Sequence, residues 1–315
     1  MYRNLSSNPP PDTSHYSPML HNALIALATA FSDDPRLTDI QTRTIFATTA
    51  KKYIEHECQN PNICVVQALS LLGSFHSSKG DQNLGYLYFG MSIRVAEILG
   101  LSVDSSKWVK AGTITHDDML DRNWAHWTSF SLDVCWSMYV GRDCSSVMSS
   151  SSGHSIPVPF VDADFDEIPW HYKNETTGVS IPPQPNHLSR TFAKTCELLV
   201  IAKKIMEMVN GMHHPGSAQQ FNDEVISRLE SVLLIIFSPF TDNDSSLQLN
   251  SWKGGLSPEV DITLSNRNTS TPHKLMMHLI YWLCFILLHR PFFLRKTRPG
   301  PIYSSDREID HVKVL

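Results

Sequence analysis

Apolar residues recur at steps of three and four along most of this chain, the spacing that places them on one face of an α-helix. No alternation of apolar and polar residues typical of a strand continues for more than four positions. The pattern therefore predicts an all-α fold of about eight to ten helices in antiparallel pairs around one elongated core. Helices are predicted over residues 20–31, 38–57, 85–99, 188–210, 218–237 and 271–289, and two more begin after Asn62 and Thr115.

The most regular pattern belongs to the helix predicted over residues 85–99. It is followed by Gly100, which suits the left-handed conformation of a helix C-cap. The next helix is predicted to begin at Thr115, with Asp118 imitating a capping box. The stripe expected to face the core consists of Leu84, Leu87, Tyr88, Met91, Val95, Ile98 and Leu99.

Proline-rich and polar segments divide the chain. Residues 1–18 are predicted to be a disordered lead, 19–298 a single domain, and 299–315 a short tail. Within the domain, flexible loops are expected over about 145–187 and 241–271, because both segments are rich in Pro, Ser, Asn or Gly.

Composition narrows the function classes. The net charge of −5 and pI of about 6.3 argue against direct binding to nucleic acid by these residues. The six cysteines are at least six positions apart, so no Cys-x-x-Cys pair is present for a zinc site, and reduced, mostly buried thiols are expected. The longest apolar run, residues 275–288, is too short to span a bilayer. Motifs of nucleotide-binding, hydrolytic and metalloprotease enzymes do not occur, which predicts that the chain is not an enzyme.

Six short motifs follow one another in a fixed order along the chain. They lie at residues 67–72, 85–101, 121–124, 132–133 with 141–142, 160–166 and 287–292. In these motifs the chain resembles the regulatory, or middle homology, domain of fungal zinc binuclear-cluster transcription factors, and within them the nitrate-assimilation and xylanolytic activators. Asp143 stands where that family has a proline, a departure expected to loosen the following turn.

The resemblance implies transcription regulation in the nucleus. It implies zinc-dependent DNA binding only through an N-terminal six-cysteine cluster that this chain does not contain, so no cofactor is expected in the chain itself. It also implies a homo- or heterodimer with zinc-cluster factors, a small-molecule effector, and no membrane. The alternative is a DNA-binding-deficient interaction scaffold that pairs with or titrates intact factors.

Three charged residues in the motifs are the candidate site residues: Arg94, Asp133 and Arg142. One interpretation is an effector site, because a guanidinium binds carboxylates with two parallel hydrogen bonds. The other is structural, with Arg94 in a surface ion pair and Asp133 paired with Arg142 across the helix end. No catalytic or metal-binding residue is predicted.

Overall fold

The structure is a computed structural model that describes residues 16–145, 156–158, 161–173, 180–211 and 245–295. Helices dominate it, and the described strands form one antiparallel two-stranded hairpin, so the all-α prediction is confirmed. The elements are α1 (Pro18–Ala28), α2 (Pro35–Thr38), α3 (Ile40–Lys51), α4 (Ile54–Gln59), α5 (Ile63–Ser78), α6 (Gln82–Ile98), α7 (Ser106–Lys110), α8 (His116–Val140), α9 (Ala163–Asp166), β1 (Pro169–Lys173), β2 (Ser180–Pro185), α10 (Leu188–Gly211), α11 (Ser245–Gly254) and α12 (Pro272–Arg295).

The first hydrophobic cluster lies between the N-terminal helices. Helices α1, α3, α5 and α6 contribute most of its buried side chains, and Leu69, Leu72 and Phe75 of α5 lie at its centre with no exposed surface. A tight turn with a 3-10 segment over Thr29–Phe31 separates α1 from α2 and α3.

The second cluster lies between α8, α10, α11 and α12. Its fully buried side chains include Leu199, Ile205, Leu249 and Met277. Helix α8 belongs to both clusters: Ala125 is buried in the first, whereas Phe130 is buried in the second. The predicted core is therefore divided into two parts joined by α8. No helix in the described ranges combines the length and apolar character needed to cross a membrane.

Local sequence signals set the ends of these helices. Asn62 caps α5 by accepting from the Val65 amide. Thr115 and Asp118 form the predicted capping box at the start of α8. Gly100 and Gly141 follow α6 and α8 with φ values of 61° and 67°, the left-handed region that glycine adopts without strain.

The predicted core-facing stripe of α6 is partly wrong. Tyr88 and Val95 are buried as predicted, but Leu87 and Ile98 are 60% and 67% exposed. Gly85 and Ser92, which the stripe did not include, are buried where α5 lies close to α6. The helix predicted over 38–57 is broken between Lys51 and Ile54, and Ile45 within it is 65% exposed.

Regular elements lie within both segments predicted as loops, and the flexibility of these segments stays a prediction. Strands β1 and β2 pair Pro169 with Pro185 and Lys173 with Ser180, and an isolated two-stranded hairpin tolerates prolines at positions that need no donor. Helix α11 lies within residues 241–271, the other segment predicted as a loop. Its Leu249 and Trp252 are buried in the second cluster, which stabilises a helix whose other residues are mostly polar. The helix predicted over 218–237 and the serine-rich residues 146–155 lie outside the described residues.

Helices α5 and α6 approach each other unusually closely. A Cβ atom on Gly73 would lie 2.8 Å from the ring of Phe89, and one on Gly85 would lie 2.2 Å from Ser77 Oγ and 3.2 Å from the Gly73 carbonyl oxygen. One turn beyond the Gly73–Phe89 contact, the hydroxyls of Ser70 and Ser92 lie 2.9 Å apart, and Ser92 also donates to the Val66 carbonyl. Only small residues permit this contact.

We therefore predict opposite effects for two glycine substitutions in α6. Gly90→Ala meets no atom within 4 Å and should stabilise the fold by about 0.5–1 kcal/mol, because alanine loses less backbone entropy in a helix. Gly85→Ala gains the same propensity but overpacks the contact with α5, which costs about 1–3 kcal/mol. Urea unfolding of both variants measures the difference, and equal stability would show that the helices separate freely.

Candidate functional site

The structure places the three predicted site residues in different surroundings. The Arg94 side chain is 78% exposed and forms an ion pair with Glu97 at 2.7 Å. Asp133 is buried on α8, whereas Arg142 is exposed just after that helix. Arg94 does not share a site with Arg142, whose guanidinium contacts Tyr86 on α6. Arg94 lies eight residues after Tyr86, roughly 12 Å along the helix axis. The Asp133–Arg142 ion pair stays a prediction.

A first arginine joins α6 to α8 at the C-terminal end of α6. Arg122 Nη2 donates to the carbonyl oxygens of Leu99 and Gly100, each at 2.9 Å. Its guanidinium also lies 4.9 Å from the centroid of the Trp108 ring. Burial lowers the pKa of Arg122, but a guanidinium remains charged at any physiological pH. Sequence reasoning missed this contact, although Arg122 belongs to the motif at 121–124.

A second arginine joins the same helices at their other end. The Arg142 guanidinium lies 4.9 Å from the centroid of the Tyr86 ring on α6. Its amide donates to the Ser137 carbonyl at 3.1 Å, because Gly141 turns the chain back at the end of α8. The Tyr86 hydroxyl donates to the Asp143 carbonyl at 3.4 Å. Arg142 is therefore held in place by both its main chain and its side chain.

An open pocket lies between the start of α6 and the end of α8. We call it the α6–α8 pocket; its volume is about 360 Å³. Gln82 Nε2 donates to the Tyr139 hydroxyl across it at 3.3 Å, and the Tyr139 side chain is 66% exposed. Its lining residues are Gln82, Asn83, Tyr86, Tyr139, Val140 and Arg142.

The acidic residues beside this pocket are hydrogen-bonded away from it. Asp81 accepts from the His76 ring at 3.2 Å and pairs with Lys79 at 3.5 Å. The Asp143 carboxylate accepts from Asn210 Nδ2 on α10 at 2.8 Å. Of the six lining residues, Arg142 is the only charged one, so the pocket presents a single cation together with amide and phenol groups.

Asp166 is a second position that the sequence did not reveal as important. It is buried and accepts from the amides of Ser189 and Arg190, at 2.7 and 3.1 Å, at the start of α10. The carboxylate thereby supplies acceptors that the first turn of a helix lacks, and it suits the positive end of the helix dipole. This contact ties the acidic motif at 160–166 to the second cluster.

The thiols of the described residues do not fit a metal site. Burial raises the pKa of Cys135, Cys196 and Cys284 to about 12, so the thiolate that zinc requires is disfavoured. Among the described ranges, no group of three or more His, Cys, Asp or Glu residues is arranged to hold a metal ion.

His126 lines a second, much smaller cavity of about 20 Å³ between α6 and α8. Its ring stacks on Phe130 and meets Trp127 edge to face. Burial lowers the pKa of His126 to about 4, so the ring is neutral in the folded protein near pH 7. The cavity has room for about one water molecule, and we interpret it as part of the packing between the clusters.

Comparisons with known proteins agree with the motifs. The model of the fungal specific transcription factor domain matches residues 1–261. The chain is 27% identical to nitrogen assimilation transcription factor nirA of Emericella nidulans, over 98% of this chain and 33% of that protein. It is 24% identical to nitrogen assimilation transcription factor nit-4 of Neurospora crassa, over 93% of this chain and 25% of that protein.

A third relative is an uncharacterized transcriptional regulatory protein of Schizosaccharomyces pombe, which is 23% identical over 88% of this chain and 42% of its own length. The chain thus spans between a quarter and two fifths of these curated relatives. No solved structure matches it.

We predict that His126 makes the fold sensitive to acid. Its pKa is about 6.5 in an unfolded chain and about 4 in the fold, so between these values the unfolded state binds a proton that the folded state does not. Its contribution to stability is therefore intact above pH 6.5 and is lost as the pH falls to 4, by about 3 kcal/mol in total.

His126→Phe keeps an aromatic ring and should lose this part of the pH dependence in chemical unfolding measured between pH 4 and 7. His116→Gln, at an exposed position of the same helix, is the control. Other histidines with lowered pKa values, such as His76 and His278, remain in all three proteins. The same slope in His126→Phe and the unmodified chain would contradict the prediction.

Proposed function

The chain belongs to the family of fungal specific transcription factor domains, and on that premise we propose that it is the regulatory domain of a fungal RNA polymerase II transcription factor. The observation that carries the proposal is the family match over residues 1–261, which includes α6, α8 and the α6–α8 pocket between them. The family and the similar proteins are transcription regulators, and we assign the chain no catalytic activity.

We propose that DNA binding belongs to a longer architecture. In it, a six-cysteine zinc module would bind DNA in the nucleus, and this domain would control whether an activating segment is available. The acidic net charge of −5 suits a control domain better than a DNA-binding one. The names of two relatives refer to nitrogen assimilation, so we propose nitrogen source as the condition to which the factor responds.

The position of the α6–α8 pocket supplies a mechanism for control. Ala125 and Phe130 place α8 in both hydrophobic clusters, and the pocket lies where α8 meets α6. A ligand that binds one packing of these helices better than another shifts the population toward it. A tenfold preference is worth about 1.4 kcal/mol, enough to change the output of a factor whose two states are nearly equal in free energy.

The second candidate function, an interaction scaffold that pairs with intact zinc-cluster factors, is favoured by one face of α12. Five large apolar side chains on this helix are 40–64% exposed, and four of them follow the alternating steps of four and three residues typical of paired helices. A helix that is apolar on all sides is normally covered. The exposed residues are Leu275, Met276, Leu279, Trp282 and Ile286.

The regulatory proposal predicts control over a linked activator. We expect the chain, fused between a heterologous DNA-binding domain and an activation domain in a fungal reporter strain, to lower reporter expression in a manner that depends on the nitrogen source. The same fusion without the chain is the control, and immunoblots verify equal protein levels. Equal expression with and without the chain on every nitrogen source would exclude the proposal.

The scaffold proposal predicts association through α12. In analytical ultracentrifugation we expect the unmodified chain to form a dimer whose fraction rises with concentration, and Leu279→Asp to sediment as a monomer because a buried carboxylate is costly. Leu264→Asp, at a position that is 85% exposed outside this face, should behave like the unmodified chain. A dimer that survives Leu279→Asp would contradict association through α12, and a monomeric unmodified chain would exclude self-association as the form that the scaffold takes.

A further inference from the structure

The α6–α8 pocket is an open, mostly polar cleft of small-molecule size. Its volume of about 360 Å³ falls at the lower end of the range of roughly 300–1,000 Å³ for ligand pockets. Two tyrosine rings and two side-chain amides line it beside one arginine. Such a lining suits a small polar molecule with a flat part better than a lipid chain.

The charge in the pocket favours an anion with a single negative charge. Arg142 contributes the one formal charge of the lining. Asp81 and Asp143, which adjoin the lining residues Gln82 and Arg142 in the chain, are hydrogen-bonded to His76 and Asn210. A phosphate ester carries nearly two negative charges, for which such sites usually provide several cations or amides. A carboxylate needs one guanidinium and matches its planar pair of N–H donors.

The Arg142 guanidinium lies 4.9 Å from the centroid of the Tyr86 ring. A guanidinium that packs on the face of an aromatic ring keeps the N–H donors at its edge for a carboxylate. The Ser137 carbonyl holds the main chain and the Tyr86 ring contacts the side chain, so part of the ordering cost is met before a ligand binds. An arginine held in this way recognises a carboxylate at a low entropic cost.

The exposed ring of Tyr139 supplies a surface for the rest of the ligand. The ring is supported by Trp136, at 5.2 Å between centroids, and its hydroxyl is fixed by Gln82. An aromatic surface that is supported from behind and open in front suits stacking with a planar group.

From these observations we propose that the α6–α8 pocket binds a small monocarboxylate with a planar body, with its carboxylate on Arg142 and its flat part against Tyr139. The site includes one of the three residues singled out from the sequence. The importance of this binding for gene control rests on the proposed regulatory function, whereas binding itself is a property of the purified chain.

The test uses the full chain with benzoate as the probe and benzamide, its uncharged analogue of the same shape, as the control ligand. Tryptophan fluorescence is a suitable signal, because Trp136 contacts Tyr139. We expect benzoate to bind in the millimolar range, typical of a small fragment, and benzamide to bind at least about tenfold more weakly. Inorganic phosphate should compete poorly.

Variants separate the pocket from the surrounding fold. Arg142→Gln should weaken benzoate binding about tenfold or more. It should lower the thermal unfolding temperature only slightly, because the contact with Tyr86 that it removes is exposed and contributes little to stability. Arg142→Lys, which keeps the charge without the paired donors, should bind with intermediate affinity, and Tyr139→Ala should weaken both ligands. Arg94→Gln, an exposed arginine elsewhere on α6, is the matched control and should bind like the unmodified chain.

Three results would overturn the proposal: no benzoate binding up to about 10 mM, equal affinities for benzoate and benzamide, or an unchanged affinity in Arg142→Gln. Better binding of phosphate than of benzoate would also exclude a monocarboxylate. If benzoate binds as expected but the reporter fusion shows no control, the binding proposal is supported and the regulatory proposal is excluded. If the fusion shows control but benzoate does not bind, the binding proposal is excluded and the regulatory proposal is unaffected.

Discussion

The close contact between α5 and α6 fixes the arrangement of everything that α6 carries. Gly85 has to face α5 because a side chain there would collide with Ser77, and consecutive residues of a helix are turned by about 100°. Tyr86 therefore points away from α5 and contacts Arg142, and Leu87 faces solvent. The apolar residues of α6 are partly exposed as a consequence of the packing of its smallest residues.

The two arginines then hold α8 along α6 from opposite ends. Arg122 binds the last carbonyls of α6 near the start of α8, and Arg142 stacks on Tyr86 near the start of α6. The helices are thus antiparallel and fastened at both ends, and α8 also carries side chains into each hydrophobic cluster. A rotation of α8 therefore changes the packing of both clusters. An element that controls two parts of a domain has to couple them in this way.

Signals that act within a few residues could be read from the sequence. Thr115, Asp118 and Gly100 set helix ends as expected, because caps depend on neighbouring residues. The burial of Gly85 and Ser92 on α6 could not be predicted, since it depends on Gly73, Ser70 and Ser77 of another helix, which hydrophobicity patterns ignore. Helix α11 was not predicted for the same reason: the Trp252 indole donates to the Lys194 carbonyl, a contact between positions far apart in the chain.

The same limit applies to the site, and Asp143 illustrates it. Sequence reasoning expected the loss of the family's proline to loosen the turn after α8. In the structure the Asp143 carboxylate accepts from Asn210, and the Asp143 carbonyl accepts from Tyr86 and Ser137. Three side chains therefore restrain the turn that a proline ring would otherwise restrain. The replacement keeps Arg142 in place but adds a negative charge beside it. Because that carboxylate is directed toward α10, the pocket retains its single cation, and the turn depends on contacts from two other helices.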